Sequence, residues 1–186
     1  VDETGKVQGL DVLGIENLEP QLESAISGYD GNWSVYVKDL ETEEEFVIND
    51  EPMYSASLIK AFVMAKTFED MDLVTVSDNE SCNELGRLQS EKHDFLDGAE
   101  KVNEYLEKEG YSETSYQSTL HPSSSAKISL GGRNMTSVKD CGLLLERIYR
   151  GECVSEEASA QMLDLLKRQE NTSKIPAGIK AEVPTA

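Results

Sequence analysis

Ser57-Leu58-Ile59-Lys60 places a hydroxyl and an amine three residues apart. On a helix those two side chains share one face, the arrangement a serine nucleophile needs from its base. The same pattern recurs at Ser124-Ser125-Ala126-Lys127, and context separates the two. Ser57 opens a run through Phe68 that is apolar nearly all round, with Leu58, Ile59, Ala61, Phe62, Val63, Met64 and Ala65. Such a run predicts a helix buried in the middle of a domain. The Ser57 hydroxyl then sits at the positive end of the helix dipole, and its own backbone N–H is free to hold an oxyanion. A partly desolvated Lys60 is pushed toward the neutral amine and can accept the serine proton. Ser124 has only a polar loop around it.

A second group of polar residues lies downstream, Ser77-Asp78-Asn79, with Asn83 four residues further on. Ser77 can pass a proton to a departing nitrogen, and Asn79 can hydrogen-bond a substrate amide. The same tripeptide also suits a plain turn and helix cap.

The elements that must position these groups read as a short β start followed by a helical body. A stripe of Leu18, Leu22, Ala25, Ile26 and Tyr29 predicts a first helix over Leu18–Tyr29, with Asn17 as its N-cap. Trp33, Val35 and Val37 alternate with polar neighbours, and Phe46 and Ile48 follow an acidic turn, which predicts an antiparallel hairpin. Beyond it strand signals almost vanish. Helices are expected from Ser57, from the capping-box spacing at Ser81-Cys82-Asn83-Glu84, and from Asp97 through Leu106. Two more are expected over Ser137–Tyr149 and Ser155–Arg168, separated by Gly151. The stretch from Ser112 to Asn134 has no regular pattern and reads as a long solvated loop. Between Thr114 and Lys139 there is no Asp or Glu, whereas Lys127, Arg133 and Lys139 are cationic. The rival reading of that interval is a face for an anionic substrate.

Composition narrows the classes. The chain has 186 residues and a formal charge of −19, which repels nucleic acid and anionic membranes. No run approaches the ~18 apolar residues of a membrane span. The opening Val1-Asp2-Glu3-Thr4 is not a basic-then-apolar leader. Cys82, Cys141 and Cys153 are odd in number and lack metal-type spacing, so they are expected to be structural thiols. His93 and His121 have no ligand spacing and are expected at the surface. Neither a metal nor another cofactor is expected.

With these residues in this order, the chain resembles the class A β-lactamases and the wider family of penicillin-recognising serine hydrolases, whose Ser-x-x-Lys and Ser-Asp-Asn elements it carries. Gly98-Ala99-Glu100-Lys101-Val102 is similar to the family's next helix start. Met135-Thr136-Ser137-Val138-Lys139-Asp140 is similar to the start of the helix after the omega loop, and Ile175-Pro176-Ala177-Gly178 to the turn before the third strand. The resemblance spans residues ~16 to 178. It implies an α/β plus all-α fold in a single domain, an antiparallel sheet with flanking helices and a helical subdomain. The α/β part would be 1–54 with 175–186, and the helical part 55–174. It further implies Ser57 as the acylated nucleophile, Lys60 as its base or proton relay, Ser77 as the proton shuttle and Asn79 as a contact to the substrate's side-chain amide. The implied partner is a β-lactam or a D-alanyl peptide-like molecule, met outside the cell membrane.

Three departures stand beside the resemblance. Only 16 residues separate Lys60 from Ser77, where the family has several tens more. The acid that activates the deacylating water in the family's omega loop has no counterpart between Thr114 and Lys139. The place of Lys-Thr-Gly is held by Pro184-Thr185-Ala186, so the sheet is expected to be incomplete unless a second chain or a further C-terminal segment completes it. Two alternatives therefore accompany the hydrolase reading: a penicillin-binding DD-peptidase with slow deacylation, and a non-catalytic ligand-binding or sensor module.

Overall fold

The computed structural model describes residues 15–70, 79–120 and 127–168. The first helix, α1 (Ile15–Ile26), precedes a hairpin of β1 (Val35–Lys38) and β2 (Glu45–Ile48). The hairpin is antiparallel, with Val35 opposite Ile48 and Lys38 opposite Glu45. A second antiparallel pair joins β3 (Met53–Tyr54) to β4 (Met135–Thr136), with Tyr54 opposite Met135. The helical body comprises α2 (Ile59–Asp70), α3 (Asn79–Leu88), α4 (Phe95–Lys108), α5 (Val138–Arg150) and α6 (Glu156–Lys167).

Helix α2 is the centre of the core, as its composition predicts. Ile59, Phe62, Val63 and Ala65 are all but inaccessible to solvent. They meet Ala99, Val102 and Leu106 of α4, Leu144 and Ile148 of α5, and Met162 of α6. Phe62 stands edge-on to Tyr111 at 5.2 Å between ring centres, and Phe95 likewise to Tyr116 at 5.3 Å. Such pairs add about 0.5–1.5 kcal/mol beyond the area they bury. The β part is thinner. No residue of α1, β1 or β2 is fully buried, because a two-stranded hairpin carrying one helix has too little apolar partner to close over it.

Several boundaries differ from the sequence expectation for local reasons. Ile15, ahead of Leu18, is already helical, so Asn17 lies inside α1 and its carbonyl accepts from Gln21 Nε2 at 2.8 Å. Pro20 is thereby carried into the second turn, where its missing N–H forfeits an internal bond. α3 begins at Asn79, so Ser81 is a helical residue and not a cap. α4 begins at Phe95 under the cap of Asp94, whose carboxylate accepts the Asp97 N–H at 3.0 Å. The caps at Ser137 and Ser155, and the left-handed Gly151 at φ 79°, fall where the sequence places them. The strands β3 and β4 have two residues each, too few for alternation to show in the sequence.

Gly98 lies within α4 because α3 crosses there. A Cβ at Gly98 would stand 1.9 Å from the backbone oxygen of Gly86. Gly98→Ala is expected to force the two helices apart, with a loss of about 3 kcal/mol, the upper end for overpacking against backbone. A fall in Tm of roughly 6–12 °C would register it. An unchanged Tm would mean that the crossing relaxes freely.

Burial also sets the alkaline limit. It pushes the Cys153 thiol up to about 11 and the Tyr36 phenol up to about 12, and raises Tyr105 and Tyr116 as well. In the unfolded chain these groups ionise nearer pH ~8.5–10, so above that range the unfolded state binds fewer protons and stability falls as pH rises. Denaturant titrations at about pH 8 and about pH 10.5 are expected to show the decline, smaller in Cys153→Ala.

Candidate active site

Ser57 is not in the first turn of α2. It occupies a separate 3-10 turn, Ala56–Leu58, that leads into the helix. Residues three apart still eclipse on such a turn, so Lys60 remains on the same side. Ser57 is exposed and Lys60 half-buried. Among the described residues the Ser57 hydroxyl and backbone N–H make no hydrogen bond, and Lys60 Nζ has neither an ion pair nor a hydrogen bond. Leu58, expected inside, is 58% exposed, because the 3-10 turn rotates it off the core face.

The turn is held in a strained shape. Ala56 has φ 46°, a left-handed conformation that costs a residue with a Cβ roughly 1–2 kcal/mol. Two backbone bonds impose it: Ser55 N–H donates to the Asn134 carbonyl at 2.9 Å, and Leu58 N–H donates to the Ser55 carbonyl at 2.9 Å. Ser55 is itself buried, with a hydroxyl that has no partner. Ala56→Gly is expected to raise Tm by roughly 2–4 °C, since about 1 kcal/mol of relieved strain outweighs the entropy of a freer chain. A lower Tm would show that Ala56 is unstrained.

Asn134 ties this turn to the segment 114–120. Its Oδ1 accepts from the N–H groups of Gln117 and Ser118 at 2.7 and 2.9 Å, and its Nδ2 donates to the Ser118 carbonyl at 2.9 Å. Asn83 binds the backbone of Leu120 in the same two-handed way, at 2.7 and 2.8 Å, and Asn103 that of Tyr116, at 2.7 and 2.9 Å. The buried Asp140 accepts from the Thr114 hydroxyl at 2.6 Å and the Glu113 N–H at 2.9 Å. Thr114, Tyr116, Ser118, Thr119 and Leu120 are consequently buried. The first half of the expected solvated loop is thus a packed, fully hydrogen-bonded segment. An amide side chain supplies both the donor and the acceptor that a missing strand neighbour would have provided.

Asn79 is the first residue of α3, half-buried, and α3 packs against α2. No hydrogen bond joins Ser57, Lys60 and Asn79. Ser77, His121, the Ile175–Gly178 turn and Pro184-Thr185-Ala186 lie outside the described residues. The asparagine clamps and the strained Ala56 escape a reading of types and spacing. Only Asn83, one helical turn after Asn79, carried a signal. His93 is exposed, as expected, but pairs with Glu84 at 2.6 Å. None of Cys82, Cys141 and Cys153 is in a disulfide. Among the described residues no cluster of His, Cys, Asp and Glu is arranged to hold a metal, and no helix is long and apolar enough to cross a membrane.

The Ser57 turn heading a buried helix, backed by small antiparallel sheets and flanked by helices, fits a β-lactamase-like fold. The chain belongs to the β-lactamase enzyme family, whose profile matches residues 17–73 and 71–186. The two matched pieces meet between Lys60 and Ser77. Among solved structures it is similar to a β-lactamase from Sphaerobacter thermophilus, with a TM-score of 0.62 and 15% identity. That likeness covers 86% of this chain and 72% of the other. No curated protein matches the sequence significantly.

Proposed function

We propose that the protein is an active-site-serine hydrolase of the β-lactamase type, acylated at Ser57 by β-lactams and cleaving their amide bond. The observation that carries this reading is the Ser57 turn: an exposed serine after the left-handed Ala56, its N–H unpaired among the described residues, beside a half-buried lysine with no carboxylate partner among them. Ser57 Oγ attacks the lactam carbonyl while its proton passes to Lys60 Nζ. The Ser57 N–H is one donor to the oxyanion. As the C–N bond breaks, Ser77 relays the proton from Lys60 Nζ to the nitrogen, receiving one as it gives one, and Asn79 holds the substrate's side-chain amide. Water then cleaves the ester. The setting proposed for this chemistry, by resemblance to the family, is outside the cell membrane.

One observation favours a second reading. The clamped segment 114–120, and the chain onward to Lys139, carry no carboxylate to activate the deacylating water. A penicillin-binding DD-peptidase, acylated quickly and released slowly, fits that lack. Incubation with a chromogenic cephalosporin and a fluorescent penicillin, followed by colour and intact mass, separates the two. Fast colour without a lasting adduct supports the β-lactamase. A stable one-to-one adduct supports the penicillin-binding protein. A folded sample that gives neither overturns both.

A further inference from the structure

A groove of about 330 Å³ lies between the hairpin and the β3–β4 pair, outside the residues given roles above. Its floor is apolar, from Met53 and Met135, and the amide residues Asn32 and Asn49 line it. Asn49 donates its Nδ2 to the Trp33 carbonyl at 3.0 Å, which fixes the side chain and leaves its Oδ1 without a partner. Two opposite charges, Glu51 and Arg133, line the same groove, yet neither is in an ion pair. Among the described residues Lys38, Lys66, Arg87, Lys108, Arg147, Arg150 and Arg168 pair with carboxylates, and Arg133 is among the cations that do not.

We propose that this groove binds a short zwitterionic peptide, with its carboxylate on Arg133, its ammonium on Glu51 and its backbone amides against Asn32 and Asn49. The volume is at the small end of ligand sites and suits a di- or tripeptide. Charge decides among ligand classes. A simple anion would be repelled by the field of a −19 chain, and a simple cation would find no reason to prefer this spot among 36 acids. A zwitterion meets no net repulsion and uses both unpaired charges. Peptide amides supply the donors and acceptors that the asparagine side chains need, and small side chains cover the methionine floor.

The test is a titration of the full chain with L-alanyl-L-alanine, read by amide chemical shifts. Saturable shifts are expected at Asn32, Asn49 and Arg133, and none with the same dipeptide acetylated and amidated at its ends. Arg133→Ala and Glu51→Gln are each expected to weaken binding about fivefold, the scale of an exposed charge pair. Ser57→Ala is expected to bind as the wild type does, so that failure here is independent of the hydrolase reading. The proposal is overturned by the absence of saturable shifts, by equal binding of the capped dipeptide, or by unchanged binding in both charge variants.

Discussion

Ser57→Ala is expected to lose the penicillin adduct completely and to reduce cephalosporin hydrolysis by about 10³–10⁶-fold, the range seen when a nucleophile is removed. Stability should hardly move. Ser57 is exposed and its hydroxyl makes no bond, so the change falls within the ±0.5 kcal/mol or so typical of such surface sites. An unchanged Tm with lost chemistry separates a chemical role from a structural one. Lys60→Met gives the complementary signature. Without a base the hydroxyl still reaches the carbonyl, so the adduct forms, but about 10²–10⁴-fold more slowly. The lysine has no partner to abandon, and methionine keeps much of its apolar stem, so folding is again spared. An adduct that persists in Ser57→Ala, located by peptide mass on another residue, would sink the assignment.

The sequence reveals the helical body more fully than the site because the two rest on different physics. Helix α2 is legible since its burial is written into nearly every residue from Ile59 to Phe68. The ends of α5 and α6 are legible because Ser137, Ser155 and Gly151 cap locally. What shapes the nucleophile turn is long-range. Ala56 is left-handed because Asn134, far along the chain, holds Ser55, and no local propensity records that bond. The segment 114–120 is misread for a related reason. Its Ser, Thr and Gln residues look solvent-loving, yet the segment's backbone is satisfied by Asn134 at Gln117 and Ser118, by Asn103 at Tyr116, by Asn83 at Leu120, and by main-chain carbonyls at Thr114, Ser115 and Thr119. Polar composition there marks internal hydrogen bonding instead of exposure. The boundary of α4 shows the same limit on a smaller scale. Gly98 suggests a helix start until the crossing with Gly86 explains it as a helix interior.

Asn83 is where fold and site are most tightly joined, and Asn83→Ala is expected to be the most destabilising of the polar substitutions. Asn83 is 1% exposed, as is fitting for a side chain bonded at both ends to Leu120, itself 6% exposed. Truncation strands the Leu120 N–H and carbonyl without partners. At about 1–3 kcal/mol for each orphaned group the loss is roughly 2–6 kcal/mol. Asn103→Ala breaks the same kind of clamp on Tyr116, but Asn103 is half-buried, so water can replace it and the loss should be smaller. Hydrogen exchange resolves local from global effects. In Asn83→Ala the Leu120 amide should lose protection while the amides of α2 retain theirs. The acylation rate at Ser57 then reports whether segment 114–120 matters to the chemistry. Asn83 stands one helical turn from Asn79, and Asn134 grips the same segment while its carbonyl fixes Ser55. A segment freed at Leu120 loosens the nucleophile turn through Asn134, and acylation should slow along with the stability loss. Asn83→Asp makes the control. It keeps the acceptor for the Leu120 N–H but turns a carboxylate oxygen toward the Leu120 carbonyl, so it should restore the amide's protection only in part. Equal exchange in the two variants would show that the clamp is not what holds the segment.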